Sequence, residues 1–267
     1  MASKNQSLFQ AAVLLLSLIC VGTFPFCQAI NGQMRIVGGD EVKSNEINYQ
    51  ASIRVYDQHI CGGTIIGPNY ILTAAHCFYG LGLEETLDDI LVVTGGIKLQ
   101  DTRNTHAVAK ITLHKDFTND KETSYLNDIA ILTLEDQINF DHTQAPARLP
   151  VAPVSKGLTG TVIGWGRQDF GSPYLAKILR KATLKVLTWE ECQPKMKFNV
   201  YNSQICGFAA KNTGICKGDS GGPLMVDGTV IGISSWNIPC ATGVPDVFTN
   251  VFYHLDFIID VMGSGEK

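Results

Sequence analysis

A run of seven residues, Lys217-Gly-Asp-Ser-Gly-Gly-Pro223, sets a serine hydroxyl among glycines. A serine becomes a nucleophile when a neighbouring base takes its proton, and the oxyanion it then forms needs backbone N–H groups aimed at it. Glycines around Ser220 permit the tight turn that would point the N–H groups of Gly218 and Ser220 at one spot. A base is offered by Leu72-Thr-Ala-Ala-His76-Cys77, and a carboxylate to orient that base by Asn127-Asp128-Ile-Ala-Ile-Leu132. Singly, His76 reads as a surface or core histidine and Asp128 as a turn residue opening a strand. Together with Ser220 they read as a catalytic triad, His76 the base and Asp128 the group that holds its tautomer.

A fourth string, Arg35-Ile36-Val37-Gly38-Gly39, sets a basic residue before a small apolar start. Further strings are Cys61-Gly62-Gly63, Gly164-Trp165-Gly166 and Ser234-Ser235-Trp236. With the order His, Asp, Ser, these motifs resemble the trypsin/chymotrypsin family of serine proteases from Ile36 to the end of the chain. The resemblance implies an all-β fold of two packed six-stranded antiparallel barrels with a C-terminal helix and the cleft between the barrels. It implies the disulfides Cys61–Cys77, Cys192–Cys206 and Cys216–Cys240. It also implies a zymogen: once the bond after Arg35 is cut, the new ammonium of Ile36 would pair with Asp219 and order the oxyanion loop. Ser235 would support Asp128, and the backbone of 235–237 would take the substrate as an added strand.

The substrate pocket departs from the family pattern. The family's floor position is Gly214 here, followed by Ile215, so a simple preference for Lys or Arg is not expected. Asn237 narrows the entrance, and Asp246 supplies a displaced carboxylate. If Ile215 masks Asp246, cleavage follows aliphatic or aromatic residues; if Asp246 is reachable, basic residues are accepted too. The masked case is the expectation, because burying a cation short of its partner is expensive.

The elements that must carry these residues are short apolar runs punctuated by Gly, Pro, Asn and Asp, which read as strands: 51–56, 64–66, 90–94, 106–113, 129–134, 160–164, 184–187, 223–226, 230–235 and 247–250. Val251, Leu255, Ile258, Ile259 and Met262 share one helical face near the end. Three prolines in 145–153 make that stretch a linker between halves. The expected organisation is a signal peptide at 1–29, an activation propeptide at 30–35, a first barrel at 36–145, and a second barrel with the C-terminal helix at 146–267. The signal rests on Lys4, the apolar run Leu8 to Val21, and Ala29 as a small residue at the cut.

Six cysteines remain after the signal, an even number in an oxidising compartment, which favours disulfides over a zinc site. No metal or other cofactor is expected. The acidic stretch Glu84-Glu85-Thr-Leu-Asp88-Asp89 reads as a solvated loop, lacking the ligand spacing of a calcium site. The formal net charge of −4, which becomes −6 once residues 1–35 and their two basic side chains are gone, argues against nucleic acid as a partner. No N-glycan is expected on the mature chain, since Asn5-Gln6-Ser7 lies in the signal.

The reading is therefore a secreted, monomeric serine endopeptidase with a digestive or effector role and no membrane attachment after signal removal. Its expected partners are protein or peptide substrates, an activating trypsin-like protease and protein protease inhibitors. The alternatives are a selective processing protease of a regulatory cascade and an inactive homologue acting as a binding protein.

Overall fold

The structure is a computed structural model that describes residues 36–82, 87–169 and 171–264. The signal peptide, the propeptide with Arg35, and Glu84 and Glu85 lie outside the described residues.

Thirteen strands are described: β1 Asp40–Glu41, β2 Gln50–Val55, β3 Gln58–Gly67, β4 Tyr70–Thr73, β5 Ile90–Thr94, β6 Asn104–Leu113, β7 Ala130–Leu134, β8 Thr159–Gly164, β9 Arg180–Leu187, β10 Gln204–Phe208, β11 Pro223–Val226, β12 Thr229–Trp236 and β13 Asp246–Asn250. The first six of these after β1 close into an antiparallel barrel in the order β2-β3-β4-β7-β6-β5, with β2 also paired to β5. The remaining strands run β9-β10-β13-β12-β11-β8, and the pairing of β8 with β9 closes a second barrel. The two six-stranded barrels expected from the motifs are present.

Alternation explains the walls. In β9 the side chains of Arg180, Ala182, Leu184 and Val186 are buried while Thr183 and Lys185 face out, the period-2 pattern of a sheet with one wet face. Ile53, Ile65, Ile71, Ile90, Val92 and Leu132 fill the first barrel, and Val162, Leu184, Ile205, Leu224 and Phe248 the second. A third cluster, with Leu72, Ile129, Ile163, Trp165 and Met225, lies between them and glues the barrels face to face.

Three features differ from the sequence reading or were absent from it. Strands β4 and β10 were not among the expected runs. The segment 36–41, assigned to the first barrel, lies on the second: β1 pairs with β9 and Val37 bridges Gly214. The C-terminal helix α2, Leu255–Ser264 (α1 is the short Trp189–Cys192), buries Ile258 but leaves Ile259 59% exposed. A 3₁₀ turn at Phe252–His254 precedes α2 and shifts its phase, so the inward face is Val251, His254 and Ile258.

The proline-rich stretch carries no strand and leaves Val151 96% exposed. It is nevertheless tied to both barrels near its start. Ala147 N donates to Ile65 O in the first barrel, and Val230 N in the second donates to Arg148 O. Disulfides join Cys61 to Cys77, Cys192 to Cys206 and Cys216 to Cys240. With sequence separations of 14 to 24, each stabilises by roughly 3 kcal/mol in the loop-entropy account.

Candidate active site

His76 sits on a single 3₁₀ turn, Ala75–Cys77, that follows β4. The turn is pinned to β3 by the Cys61–Cys77 bridge. Its backbone N–H donates to Asp128 Oδ1 at 2.9 Å, and its Nδ1–H donates to Asp128 Oδ2 at 2.7 Å. A carboxylate only accepts, so the proton belongs on Nδ1 and the lone pair on Nε2, the nitrogen a serine hydroxyl must meet. Burial opposes a charge on the ring, but the field of Asp128 and the hydrogen bond to it outweigh burial, and the pKa of His76 is raised above the ordinary histidine value.

Asp128 lies just ahead of β7 and is fully buried. The second barrel holds it as firmly as the first. Ser235 Oγ donates to its Oδ2 at 2.5 Å, and Thr249 Oγ1 donates to its main-chain carbonyl at 2.8 Å. Three of the four residues before it, Ser124, Tyr125 and Asn127, have φ near +55°. Left-handed backbone at non-glycine residues persists where surrounding contacts over-determine it.

Ser220 stands on the loop before β11, half-buried, at the junction of the barrels. Its carbonyl accepts from Gly62 N of β3 at 2.8 Å, and Gly221 N donates to Ser234 O of β12 at 2.8 Å. Gly221 has φ +74°, and a Cβ there would lie 2.2 Å from Thr73 Oγ1 and 2.6 Å from Gly62 O. Only glycine lets the loop press against β3 and β4, the strands that lead to His76. The loop thus brings Ser220 to the strands that carry the other two residues of the expected triad.

Asp219 points the other way, into the second barrel, where it is fully buried. Its oxygens accept from the backbone N–H groups of Gly166 at 2.7 Å and Cys216 at 2.9 Å. The carboxylate is so close to Gly166 that a Cβ there would sit 2.2 Å from Oδ2, which accounts for the Gly-Trp-Gly string. Among the described residues no basic side chain pairs with it. Burial pushes its pKa up to about 7, against the two hydrogen bonds. Ile36 is fully buried in the same barrel, and Val37 O accepts from Gly214 N, two residues from Cys216.

The expected pocket residues also converge. Asp246, 4% exposed, accepts the N–H of Ile215 on Oδ2 at 2.9 Å, and that oxygen lies 2.5 Å from where a Cβ of Gly214 would be. Burial pushes the carboxyl up to about 8, and neighbouring Asp219 adds to the shift. Asn237 Nδ2 donates to Ile215 O at 2.7 Å, tying the segment that follows β12 to the floor segment. Cys216–Cys240 closes the same region, with 5.0 Å between Cα atoms. Beside Trp236, a cavity of about 250 Å³ opens between Ser124 and Tyr125 of one barrel and Phe198 and Asn237 of the other.

Cys61, His76 and Cys77 present ligand-type atoms close together, but the two sulfurs are bonded to each other and only the imidazole remains to hold an ion.

Sequence reasoning passed over His59. Its Nε2–H donates to Gly218 O at 2.9 Å, and its Nδ1 accepts from Ser52 Oγ at 2.8 Å. Burial pushes its pKa down to about 4, so at neutral pH the neutral ring braces the loop ahead of Ser220. Its partner lies 159 positions away, and no residue beside it in the sequence marks the role. Thr249 was also missed, and nothing in its strand distinguishes it from a core threonine.

The family profile described as Trypsin matches residues 36–258. Over 224 residues the chain is 34% identical to chymotrypsin-2 of Vespa crabro, covering 84% of this chain and 98% of that protein. It is 33% identical over 228 residues to brachyurin of Leptuca pugilator, covering 84% and 96%. Its fold is similar to the solved structure of neuropsin, a serine protease expressed in the limbic system of mouse brain, with a TM-score of 0.76, 26% identity, and 84% and 98% of the two chains covered.

Proposed function

This chain belongs to the trypsin family of serine proteases, and we propose that it is secreted as a precursor, cut after Arg35, and hydrolyses peptide bonds after aliphatic or aromatic residues through an acyl-enzyme on Ser220. The observation that carries the reading is the double hydrogen bond from His76 to Asp128, because it leaves Nε2 as a base. His76 takes the proton of Ser220, the hydroxyl attacks the carbonyl, and the oxyanion is met by the N–H groups of Gly218 and Ser220. The proton then passes to the leaving amine, and water repeats the cycle to release the acid. Asp128 stabilises the imidazolium in both halves.

Cleavage after aliphatic or aromatic residues is supported by the state of Asp246. It is buried, bonded to Ile215 N and pushed up to about 8, so at neutral pH it is mostly the neutral acid and attracts no cation. Matched peptides differing only in the residue before the cut test this. Leu or Phe should exceed Arg in kcat/KM by about a hundredfold or more, since an unpaired buried cation costs on the order of 3 kcal/mol. Asp246→Gly should leave that order unchanged. A wild-type preference for Arg that disappears in Asp246→Gly would mean the carboxylate is reachable.

Activation at Arg35 is supported by the surroundings of Ile36 and Asp219. Ile36 has φ +28°, an outlier for a β-branched residue, and this torsion exists only while the bond to residue 35 is intact. The buried carboxylate of Asp219 sits at about 7 rather than 3.8. A group raised in the folded state binds protons that the unfolded chain has lost, so it lowers stability as pH rises from about 4 to 7. A cation at Asp219 removes that loss, and a free Ile36 ammonium is of the right charge. Arg35→Gln should be exported normally yet stay inactive after trypsin treatment. The cut wild type should melt above the uncut form at pH 8, and equal activity of the uncut variant would contradict the switch.

Export is supported by the signal-like residues 1–29 and by the three disulfides. Among the described residues, no helix is long and apolar enough to cross a membrane. We infer that the enzyme acts outside the cell on protein substrates, is switched on by a trypsin-like protease, and is open to protein inhibitors that fit the same cleft.

A further inference from the structure

We propose that His254 is a positioning residue for Asp128, acting from the second barrel through Asn127. The proposal rests on the reading of Asp128 as the carboxylate that orients His76.

Asn127 immediately precedes Asp128 and has φ +55°, so whatever fixes Asn127 sets where the next residue's carboxylate points. Its side-chain amide is held on both sides. Nδ2 donates to Asp116 O at 2.9 Å, and Oδ1 faces His254 Nε2 at 3.2 Å. His254 itself has little room to move. It is 3% exposed, its Nδ1 meets Asn250 O at 2.9 Å, and its ring stands edge-on to His114 and Tyr253 at centroid distances of 5.6 and 5.1 Å. Asn250 ends β13, the strand whose Thr249 donates to Asp128 O. One short segment of the second barrel therefore grips two consecutive residues of the first, Asn127 by imidazole and Asp128 by hydroxyl.

The groups facing the ring define its protonation. Both hydrogen-bond neighbours are carbonyl oxygens, so both nitrogens donate at once only in the imidazolium. Burial pushes the pKa down to about 4; His114 adds to the shift and Asp128 opposes it. At neutral pH the ring is neutral and carries one proton, so only one of the two contacts is a hydrogen bond at a time, and the proposal requires that proton on Nε2, toward Asn127 Oδ1. A merely structural histidine would affect melting alone. A positioning one affects the chemistry of His76, because Asp128 displaced by a few tenths of an ångström raises the His76 pKa less.

The test uses activated full-length enzyme with His254→Phe, which keeps a ring and loses the donors, and Asn127→Gly, which keeps the left-handed backbone and loses the amide. Each should lower kcat roughly tenfold with KM within about twofold, the size expected for loss of one orienting hydrogen bond. Each should also lower the apparent pKa of His76 in the kcat/KM profile. The double variant should be no worse than the poorer single one, since both break one contact, and His254→Gln should restore part of kcat. Unchanged kcat and unchanged His76 pKa in Asn127→Gly would overturn the proposal even if His254→Phe fails to fold; so would losses that simply add. If wild type itself is not inactivated by a serine-directed phosphorylating agent, the triad reading falls and takes this proposal with it; if wild type is inactivated and the variants are unaffected, this proposal alone falls.

Discussion

Ser220→Ala is expected to lower kcat by roughly 10⁶-fold while the melting temperature stays within a degree or two of wild type, because nucleophile and base act as one unit. The substitution removes a single hydroxyl from a half-buried residue. The backbone bonds that seat the loop, Gly62 N to Ser220 O and Gly221 N to Ser234 O, do not involve that hydroxyl and persist. Residual hydrolysis should reflect only substrate binding and the oxyanion donors, roughly 10³–10⁴-fold over water. Turnover of the alanine variant within tenfold of wild type would mean that another group attacks the carbonyl.

Asp128→Asn is expected to cost about 10⁴-fold in kcat at pH 7, and the hydrogen-bond geometry says why. Oδ1 of Asp128 accepts the backbone N–H of His76, which can only donate. An asparagine must therefore keep its oxygen there and turn its NH₂ towards His76 Nδ1 and Ser235 Oγ, where Oδ2 now lies. The NH₂ obliges Nδ1 to accept, the ring proton moves to Nε2, and the base is lost to Ser220. The variant also loses the partner that raises the His76 pKa. In wild type, activity should rise with pH through a midpoint above the ordinary histidine value, and in Asp128→Asn that midpoint should fall. A loss of less than tenfold with the midpoint unmoved would contradict the assigned role.

Where local structure is set by residues adjacent in sequence, the chain was legible. The glycines around Ser220 follow from a loop that presses on Thr73 and Gly62, and the alternation in β9 or the apolar run of β5 announces a strand before any fold is known. What escaped depends on partners far along the chain. His59 acts on Gly218, 159 positions away, and Thr249 on Asp128, 121 away; nothing local marks either. Strand β10 went unread because Gly207 interrupts its pattern, and that glycine answers to packing, since a Cβ would meet Leu184 at 2.6 Å and Phe248 at 2.9 Å. Strand β4 is buried along nearly its whole length and has no alternation to read. Ile259 was placed inward by a helical count begun at Val251, but three residues of 3₁₀ geometry intervene before α2 and displace the face.

The account rests on Ser220 being the nucleophile activated by His76, and stoichiometric labelling reads that directly. Activated enzyme treated with an organophosphorus fluoridate should take up one phosphoryl group per chain. Peptide mass mapping should find it on Ser220, with activity lost in proportion, and His76→Ala should label far more slowly. Phosphorylation at any other residue, or full activity in enzyme carrying the group on Ser220, would contradict the account.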